Sequence, residues 1–81
     1  MLENHEVNAV DEYKAFLLDW LFKFGYNHVT WNDIRKLVRE HRYATWSFIL
    51  DDGYITKIYN PFGDNEYKLA KKGVKFLEQR S

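Results

Sequence analysis

The stretch that decides the fold is YATWSFILDDGYITKIY, residues 43–59. Interpreted as a helix that ends at Gly53, it places four apolar side chains on one face: Tyr43, Trp46, Ile49 and Leu50. Interpreted as strands, it alternates Trp46, Phe48 and Leu50 with their neighbours, and Asp52-Gly53 becomes a two-residue hairpin turn. The local pattern alone leaves both interpretations open.

The residues after this stretch predict a β-hairpin and a last helix. Residues 54–59 are typical of a strand, and residues 66–69 of a second one. Between them, Asn60-Pro61-Phe62-Gly63 has Pro at the second and Gly at the fourth position of a turn, which leaves the aromatic rings of Tyr59 and Phe62 exposed. Residues 71–80 form a helix with three side chains toward the core: Val74, Phe76 and Leu77.

Toward the N-terminus, residues 8–24 predict an amphipathic helix. Asn8 resembles an N-cap with Asp11 in the first turn, and Gly25 is a stop signal. Seven residues spaced by three or four make one apolar stripe: Val10, Tyr13, Phe16, Leu17, Trp20, Leu21 and Phe24. We therefore expect residues 1–9 to be a flexible segment and residues 10–81 to be one domain.

Leu18 and Phe22 lie off that stripe. They indicate a second buried face, a surface for self-association, or a contact with the N-terminal tail. The pattern favours the tail contact.

A second helix is predicted from Thr30, a cap with Asp33 three residues later, to about His41. Its apolar face is formed by Trp31, Ile34, Leu37 and Val38, and most charged side chains fall on the other side. Taken together, the patterns predict a shared core of ten residues: Phe16, Leu17, Trp20, Leu21, Ile34, Leu37, Trp46, Ile49, Ile55 and Leu77.

Composition limits the function. The chain has 81 residues, enough for one domain, and no cysteine, which excludes disulfides and thiolate chemistry. The longest apolar run, residues 16–24, is interrupted by Asp19 and Lys23, so we expect no membrane span. Residues 1–10 lack the basic start of a signal peptide, and we expect a cytoplasmic protein.

The charges are unevenly distributed although the net charge is zero. Residues 1–33 are acidic, whereas residues 34–50 carry four bases against Glu40, a net charge of +3: Arg35, Lys36, Arg39 and Arg42. This asymmetry indicates a basic patch, although a strong nucleic-acid binder usually has a basic surplus overall.

Two segments resemble the winged helix-turn-helix domain of prokaryotic transcriptional regulators. ILDDGYITKI (49–58) is similar to the passage from the recognition helix into the first wing strand. YKLAKKGVKFL (67–77) is similar to the second wing strand and final helix, commonly Tyr-x-Leu-Thr-x-Lys-Gly-x-x-x-Leu. Five residues match (Tyr67, Leu69, Lys72, Gly73 and Leu77), whereas Ala70 replaces the Thr that usually caps the helix.

The resemblance covers about residues 12–80 and implies an α+β fold with a three-helix core, a β-hairpin wing and a C-terminal helix. It favours the helical interpretation of residues 43–52, which would then lie in the major groove, with the wing at phosphate or the minor groove. The outward face of that helix should contain His41, Ala44, Phe48 and Asp51, with Thr45 and Asp52 at its edges. This face has no Lys or Arg, which argues against base recognition.

The expected function is therefore double-stranded DNA binding by a small transcriptional regulator, as a dimer because one neutral domain would hold DNA weakly. The candidate contacts are Arg35, Lys36, Arg39, Arg42, Thr45, Phe48, Lys57 and Lys68. The alternative is a protein–protein interaction module that uses the Phe48 face. No arrangement typical of an enzyme, a metal site or a cofactor site emerges, and the three histidines lack ligand spacing.

Overall fold

The computed structural model describes the backbone of residues 2–79 and the side chains of residues 10–79. Within that range the chain is an α+β protein with four helices and a three-stranded antiparallel sheet. The elements are α1 (Leu2–Phe24), β1 (Val29–Thr30), α2 (Trp31–His41), α3 (Tyr43–Asp51), β2 (Ile55–Ile58), β3 (Glu66–Leu69) and α4 (Lys71–Glu78). The predicted end of the last helix, at residue 80, lies outside the described residues.

Helix α1 begins at Leu2, so Asn8 lies inside it and the predicted N-cap is wrong. An Asn in a helix interior costs at most about 0.7 kcal/mol relative to Ala, so a residue suited to a cap does not force a start. The predicted stop is confirmed. Gly25 has φ 65° and its N–H donates to the Leu21 carbonyl at 2.9 Å, which closes the last turn.

Helices α2 and α3 are separated by one residue, Arg42. Thr30 caps α2 with the predicted capping box, in which its hydroxyl and the Asp33 carboxylate each accept from the other's backbone N–H. The helical interpretation of residues 43–52 is confirmed, since Tyr43–Asp51 is helical. Gly53 follows with φ 85°, a conformation that suits glycine and lets the chain turn into β2.

The sheet has the order β1-β3-β2. The predicted hairpin is confirmed, because Ile55 pairs with Leu69 and Ile58 with Glu66. Strand β1 was not predicted. It pairs Val29 with Tyr67 and thereby joins the α1–α2 connection to the hairpin.

The core lies between α1, α2, α3 and the inner face of the sheet. Eight of the ten predicted core residues are buried, whereas Leu21 and Leu77 are half-buried at its margin. The rings of Trp20 and Trp46 stack at 6.1 Å, and Trp46 meets the Tyr67 ring at 5.0 Å. These contacts join α1, α3 and β3. No helix among residues 2–79 is long and apolar enough to cross a bilayer.

Candidate nucleic-acid interface

The outward face of α3 consists of Tyr43, Ala44, Ser47, Phe48 and Asp51, all of which are exposed. Phe48 is 53% exposed, as expected for its predicted position. Tyr43 was expected on the core face, but it is 54% exposed. Tyr43 is the first residue of α3, and its ring contacts the half-buried Trp31, with 6.4 Å between the ring centroids, instead of entering the core.

Thr45 does not lie at the edge of this face. It is 2% exposed, and its hydroxyl donates to the Glu12 carboxylate on α1 at 3.0 Å. The 100° step between successive helix residues brings Thr45 next to the buried Trp46 and Ile49. Thr45 therefore stabilises the contact between α1 and α3, and it cannot touch a ligand on the α3 surface.

His41 is also absent from the α3 face. It is the last residue of α2, half-buried, with its ring edge-on to Phe16 at 5.3 Å. Its Nε2 lies 2.6 Å from the Asp19 carboxylate of α1. The α2–α3 turn at Arg42 breaks the helical repeat, so a single helical wheel drawn through residues 41–52 misplaces His41.

The basic side chains of α2 divide between two sides of the helix. Trp31 contacts Tyr43, which marks the side toward α3, and Glu40 pairs with Lys23 at 3.8 Å, which marks the side toward α1. Each step of four residues moves about 40° around a helix, so Arg35 lies about 40° and Arg39 about 80° from Trp31, on the half of the exposed surface that faces α3. Lys36, about 140° from Trp31, lies on the half that faces α1.

Arg42 follows these two residues at the α2–α3 turn, where its side chain reaches toward α1. Its side chain is 76% exposed, and one guanidinium nitrogen lies 3.7 Å from Glu12. An ion pair this open is weak and leaves most of the donors of the guanidinium available. Arg35, Arg39 and Arg42 form what we call the arginine row.

Lys57 and Lys68 lie on opposite faces of the sheet. Lys57 is directly across from Tyr67, whose ring contacts Trp46 of α3. Cross-strand partners share a face, so Lys57 is on the α3 side. Lys68 pairs with Thr56 and lines an open groove of about 790 Å³ on the other side of the sheet, together with Tyr26 and His28. No ligand can touch Lys68 from the α3 side.

The tip of the hairpin is ordered by two asparagines. The Asn60 N–H donates to Asn65 Oδ1 at 3.1 Å, and the Phe62 N–H donates to Asn60 Oδ1 at 3.0 Å. These bonds fix an Asx-type turn that presents Phe62, which is 96% exposed. The predicted exposure of Tyr59 and Phe62 is confirmed.

A crevice of about 410 Å³ separates the helices from the hairpin tip. It is lined by Trp31 at the start of α2, by Tyr67, and by the hairpin residues Tyr59 and Asn60 among others. Sequence patterns had placed Trp31 in the core and did not identify this crevice. The one sequence signal for the crevice is that Trp31 directly follows the Thr30 cap, so that its ring lies at the N-terminal end of α2.

The surface thus has a mixed electrostatic character. The arginine row lies on α2 and at the α2–α3 turn, and Lys57 lies on the α3 side of the sheet. Asp51 lies on the face itself and Asp52 at its C-terminal end, where the helix dipole disfavours acids. The Asp52 carbonyl, however, accepts from the Lys72 ammonium at 2.6 Å, which places a positive charge at that end of the helix.

The comparisons with known proteins add no further constraint, since no protein-family model, curated sequence or solved structure matches the chain.

Proposed function

We propose that this chain is a winged helix-turn-helix domain that binds double-stranded DNA and acts as a small transcriptional regulator. In this proposal α2 and α3 are the helix-turn-helix pair and the β2–β3 hairpin is the wing. The helix order and the sheet order β1-β3-β2 support it, whereas the single-residue connection at Arg42 is shorter than the turn of three to four residues usual in a helix-turn-helix. The residues shared with the winged-helix pattern support it as well, because each has a structural task here.

Two of those residues hold the hairpin against the helices. Lys72 bonds the Asp52 carbonyl and lies over the Tyr54 ring, 4.8 Å from its centroid. Gly73 packs against the Tyr54 backbone carbonyl, where no side chain fits. Both contacts fix the start of the hairpin relative to the end of α3. In a winged-helix domain that relation sets where the wing lies beside the groove helix.

The observation that carries the DNA proposal is the arginine row, with Arg35 and Arg39 on the half of α2 that faces α3 and Arg42 at the turn between the two helices. Guanidinium groups bind phosphate oxygens in a bidentate manner and remain charged at every physiological pH. With α3 in a major groove, Arg35, Arg39 and Arg42 would contact one phosphate strand, and Lys57 would approach the backbone from the hairpin. Sequence-independent phosphate contact is the property that this surface supports best.

Base recognition would be weak and mainly apolar. The α3 face offers the Phe48 ring and the Ala44 methyl group, both suited to a thymine methyl group, and no Asn, Gln, Lys or Arg. We therefore expect modest sequence preference and a large salt dependence of binding.

The test is the salt dependence of duplex binding, measured by fluorescence anisotropy with a labelled duplex. Each phosphate contact contributes about 0.9 to the slope of log K against log salt concentration. An Arg35→Gln/Arg39→Gln variant should bind more weakly and lose about 2 from that slope. Lys36→Gln/Lys68→Gln removes the same charge from side chains off the proposed surface and should keep the parent slope.

Two outcomes would reject the proposal. A parent protein that shows no salt-dependent binding to duplex DNA does not bind phosphate in this way. Equal loss of slope in both double variants would mean that net charge, rather than the arginine row, determines the affinity.

A second candidate function is protein binding through the α3 face, and the exposure of Phe48 and Tyr43 beside Asp51 favours it. An exposed aromatic at the centre of a helix face is typical of a protein contact. Under this alternative Phe48→Ala should abolish association with the partner, while the arginine variants change mainly its rate. Under the DNA proposal Phe48→Ala should change sequence discrimination more than general affinity.

A further inference from the structure

Helix α1 has a second face that the core does not use. Asp11, Ala15, Leu18 and Phe22 are spaced by four, three and four residues and are all exposed, Leu18 at 44% and Phe22 at 88%. That spacing keeps them on one side of the helix, opposite the buried Phe16, Leu17 and Trp20. We call these four residues the outer stripe.

No other part of the described chain covers the outer stripe. The prediction that the N-terminal tail packs over Leu18 and Phe22 is wrong for residues 2–9, because they continue α1 along its axis. Burial of a side chain as large as Phe22 stabilises a complex, so a partner on this face would gain substantial apolar burial.

The length of α1 points to a second helix as the partner. Its 23 residues span about 34 Å, and the outer stripe follows its axis over residues 11–22, about 17 Å or three turns. Exposed side chains spaced by three and four residues match the seam along which one helix packs lengthwise against another.

We propose that the outer stripe binds α1 of a second copy of this chain, with the two helices parallel. In a parallel pair, one flank of the stripe on each helix lies beside the opposite flank of the other helix. Lys14 of one copy is then next to Asp19 of the second copy, five residues further along. In an antiparallel pair each flank meets itself, which brings Glu12 close to Asp19 of the second copy. The parallel pair also brings the two Asp11 side chains together at the N-terminal end of the stripe, so it has two opposite-charge contacts and one like-charge contact. The antiparallel pair has two like-charge contacts between Glu12 and Asp19 and no opposite-charge contact, so charge favours the parallel arrangement.

The cores of the two copies do not lie between the helices of the proposed pair, because the buried Phe16, Leu17 and Trp20 are on the side of α1 opposite the stripe. Asp19 is already oriented by its hydrogen bond to His41, yet its side chain remains half exposed. The dimer does not depend on what the α3 face binds.

The first test is the oligomeric state of the full chain by analytical ultracentrifugation over a wide concentration range. The parent should reach twice its 9.9 kDa mass as concentration rises. Leu18→Gln/Phe22→Gln should raise the dissociation constant at least about tenfold, because it removes most of the apolar seam. The helical signal in far-UV circular dichroism should be unchanged, which shows that the variant folds.

The control is Phe62→Gln, which removes an equally exposed ring from the hairpin tip and should dimerise like the parent. A parent that stays monomeric at every concentration overturns the proposal. A control that weakens the dimer as much as the stripe variant does also overturns it, since the interface would then include the hairpin.

The second test fixes the orientation and uses the absence of native cysteine. Asp11→Cys should form an intermolecular disulfide in a parallel pair, where the two cysteines face each other. In an antiparallel pair residue 11 faces residue 22, so the two cysteines are about 16 Å apart and cannot bond. Disulfide formation only in a mixture of Asp11→Cys and Phe22→Cys proteins would overturn the parallel arrangement.

Discussion

Arg42 shows how a side chain proposed for binding can be carried on a strained backbone position. It connects α2 to α3 with φ 80° and ψ 139°, a backbone conformation that is close to the region reserved for glycine. A glycine here would relax the turn but would remove a guanidinium from the arginine row. We infer that the sequence keeps the arginine for its side chain, at some cost in stability.

Replacing Arg42 tests this directly. Glycine should relieve a backbone strain of about 1–3 kcal/mol that alanine keeps, while its greater freedom in the unfolded chain costs about 0.5–1 kcal/mol. The free energy of unfolding of Arg42→Gly should therefore be about 1 kcal/mol higher than that of Arg42→Ala. Both variants lose the Glu12 ion pair, which makes Arg42→Ala a matched control. Urea unfolding measures the difference. Equal stability of the two variants would show that the turn is not strained.

Tyr13 provides a second prediction for a single residue. Burial raises the pKa of its phenol above 10.0, with Asp52, Tyr54 and Glu12 adding to the effect. The folded state therefore favours the neutral phenol, and its stabilising contribution is complete below pH 10.0 and disappears as the pH rises through the folded pKa. We expect the free energy of unfolding of Tyr13→Phe to fall less than that of the parent as the pH rises above about 9, because phenylalanine has no proton to lose. Urea unfolding at a series of alkaline pH values measures the difference. A parallel decline in both proteins would contradict this.

At the scale of elements, α4 is positioned by the close approach of its first turn to the hairpin. An added Cβ at Gly73 would collide with the Tyr54 carbonyl, which cannot move freely because it also accepts from the Ala70 N–H at 2.9 Å. Gly73→Ala should therefore lower the free energy of unfolding by about 1–3 kcal/mol, although alanine is the better helix former. Lys75→Ala, on the exposed side of the same helix, is the control and should be nearly neutral. Thermal unfolding of the two variants decides, and a Gly73→Ala protein as stable as the control would exclude the clash.

The sequence patterns predicted the features that depend only on residues close together along the chain. The period of α1, the capping box at Thr30 and the turn at Asn60 to Gly63 act over a few residues, and these features were predicted correctly, although α1 begins at Leu2 rather than near Asn8. Strand β1 was missed because its two residues carry almost no periodic signal and are fixed by pairing with Tyr67, 38 residues away from Val29 along the chain. Such long-range pairing is not visible in a local pattern.

The candidate site was predictable only in part for the same reason. The exposure of Phe48 follows from helical geometry alone. That Lys57 and Lys68 lie on opposite sides of the sheet follows from the register of the hairpin, and the burial of Thr45 follows from the packing of α1 against α3. Both facts depend on contacts between elements, so the sequence alone could not show which of the basic and polar candidates share one surface.

At the scale of the molecule, a network of aromatic rings joins every layer of the core. Trp46 of α3 lies between 5.0 and 6.2 Å from the rings of Phe16, Trp20, Trp31 and Tyr67, which belong to α1, α2 and β3. No helix can leave this cluster without exposing the rings of the others. The chain should therefore unfold as one cooperative unit.

Cooperative unfolding is testable with Trp46→Phe. Truncation to Ala would cost about 3–5 kcal/mol, which approaches the total stability of a domain this small, so Phe is the informative replacement. The variant should have a lower urea midpoint than the parent, while tryptophan fluorescence from Trp20 and Trp31 and far-UV circular dichroism still give coincident transitions. Phe62→Leu, which alters an exposed ring outside the network, should keep the parent midpoint. If fluorescence instead changes before the helical signal in the parent, α1 or α2 separates from the rest, and the ring network does not couple the elements.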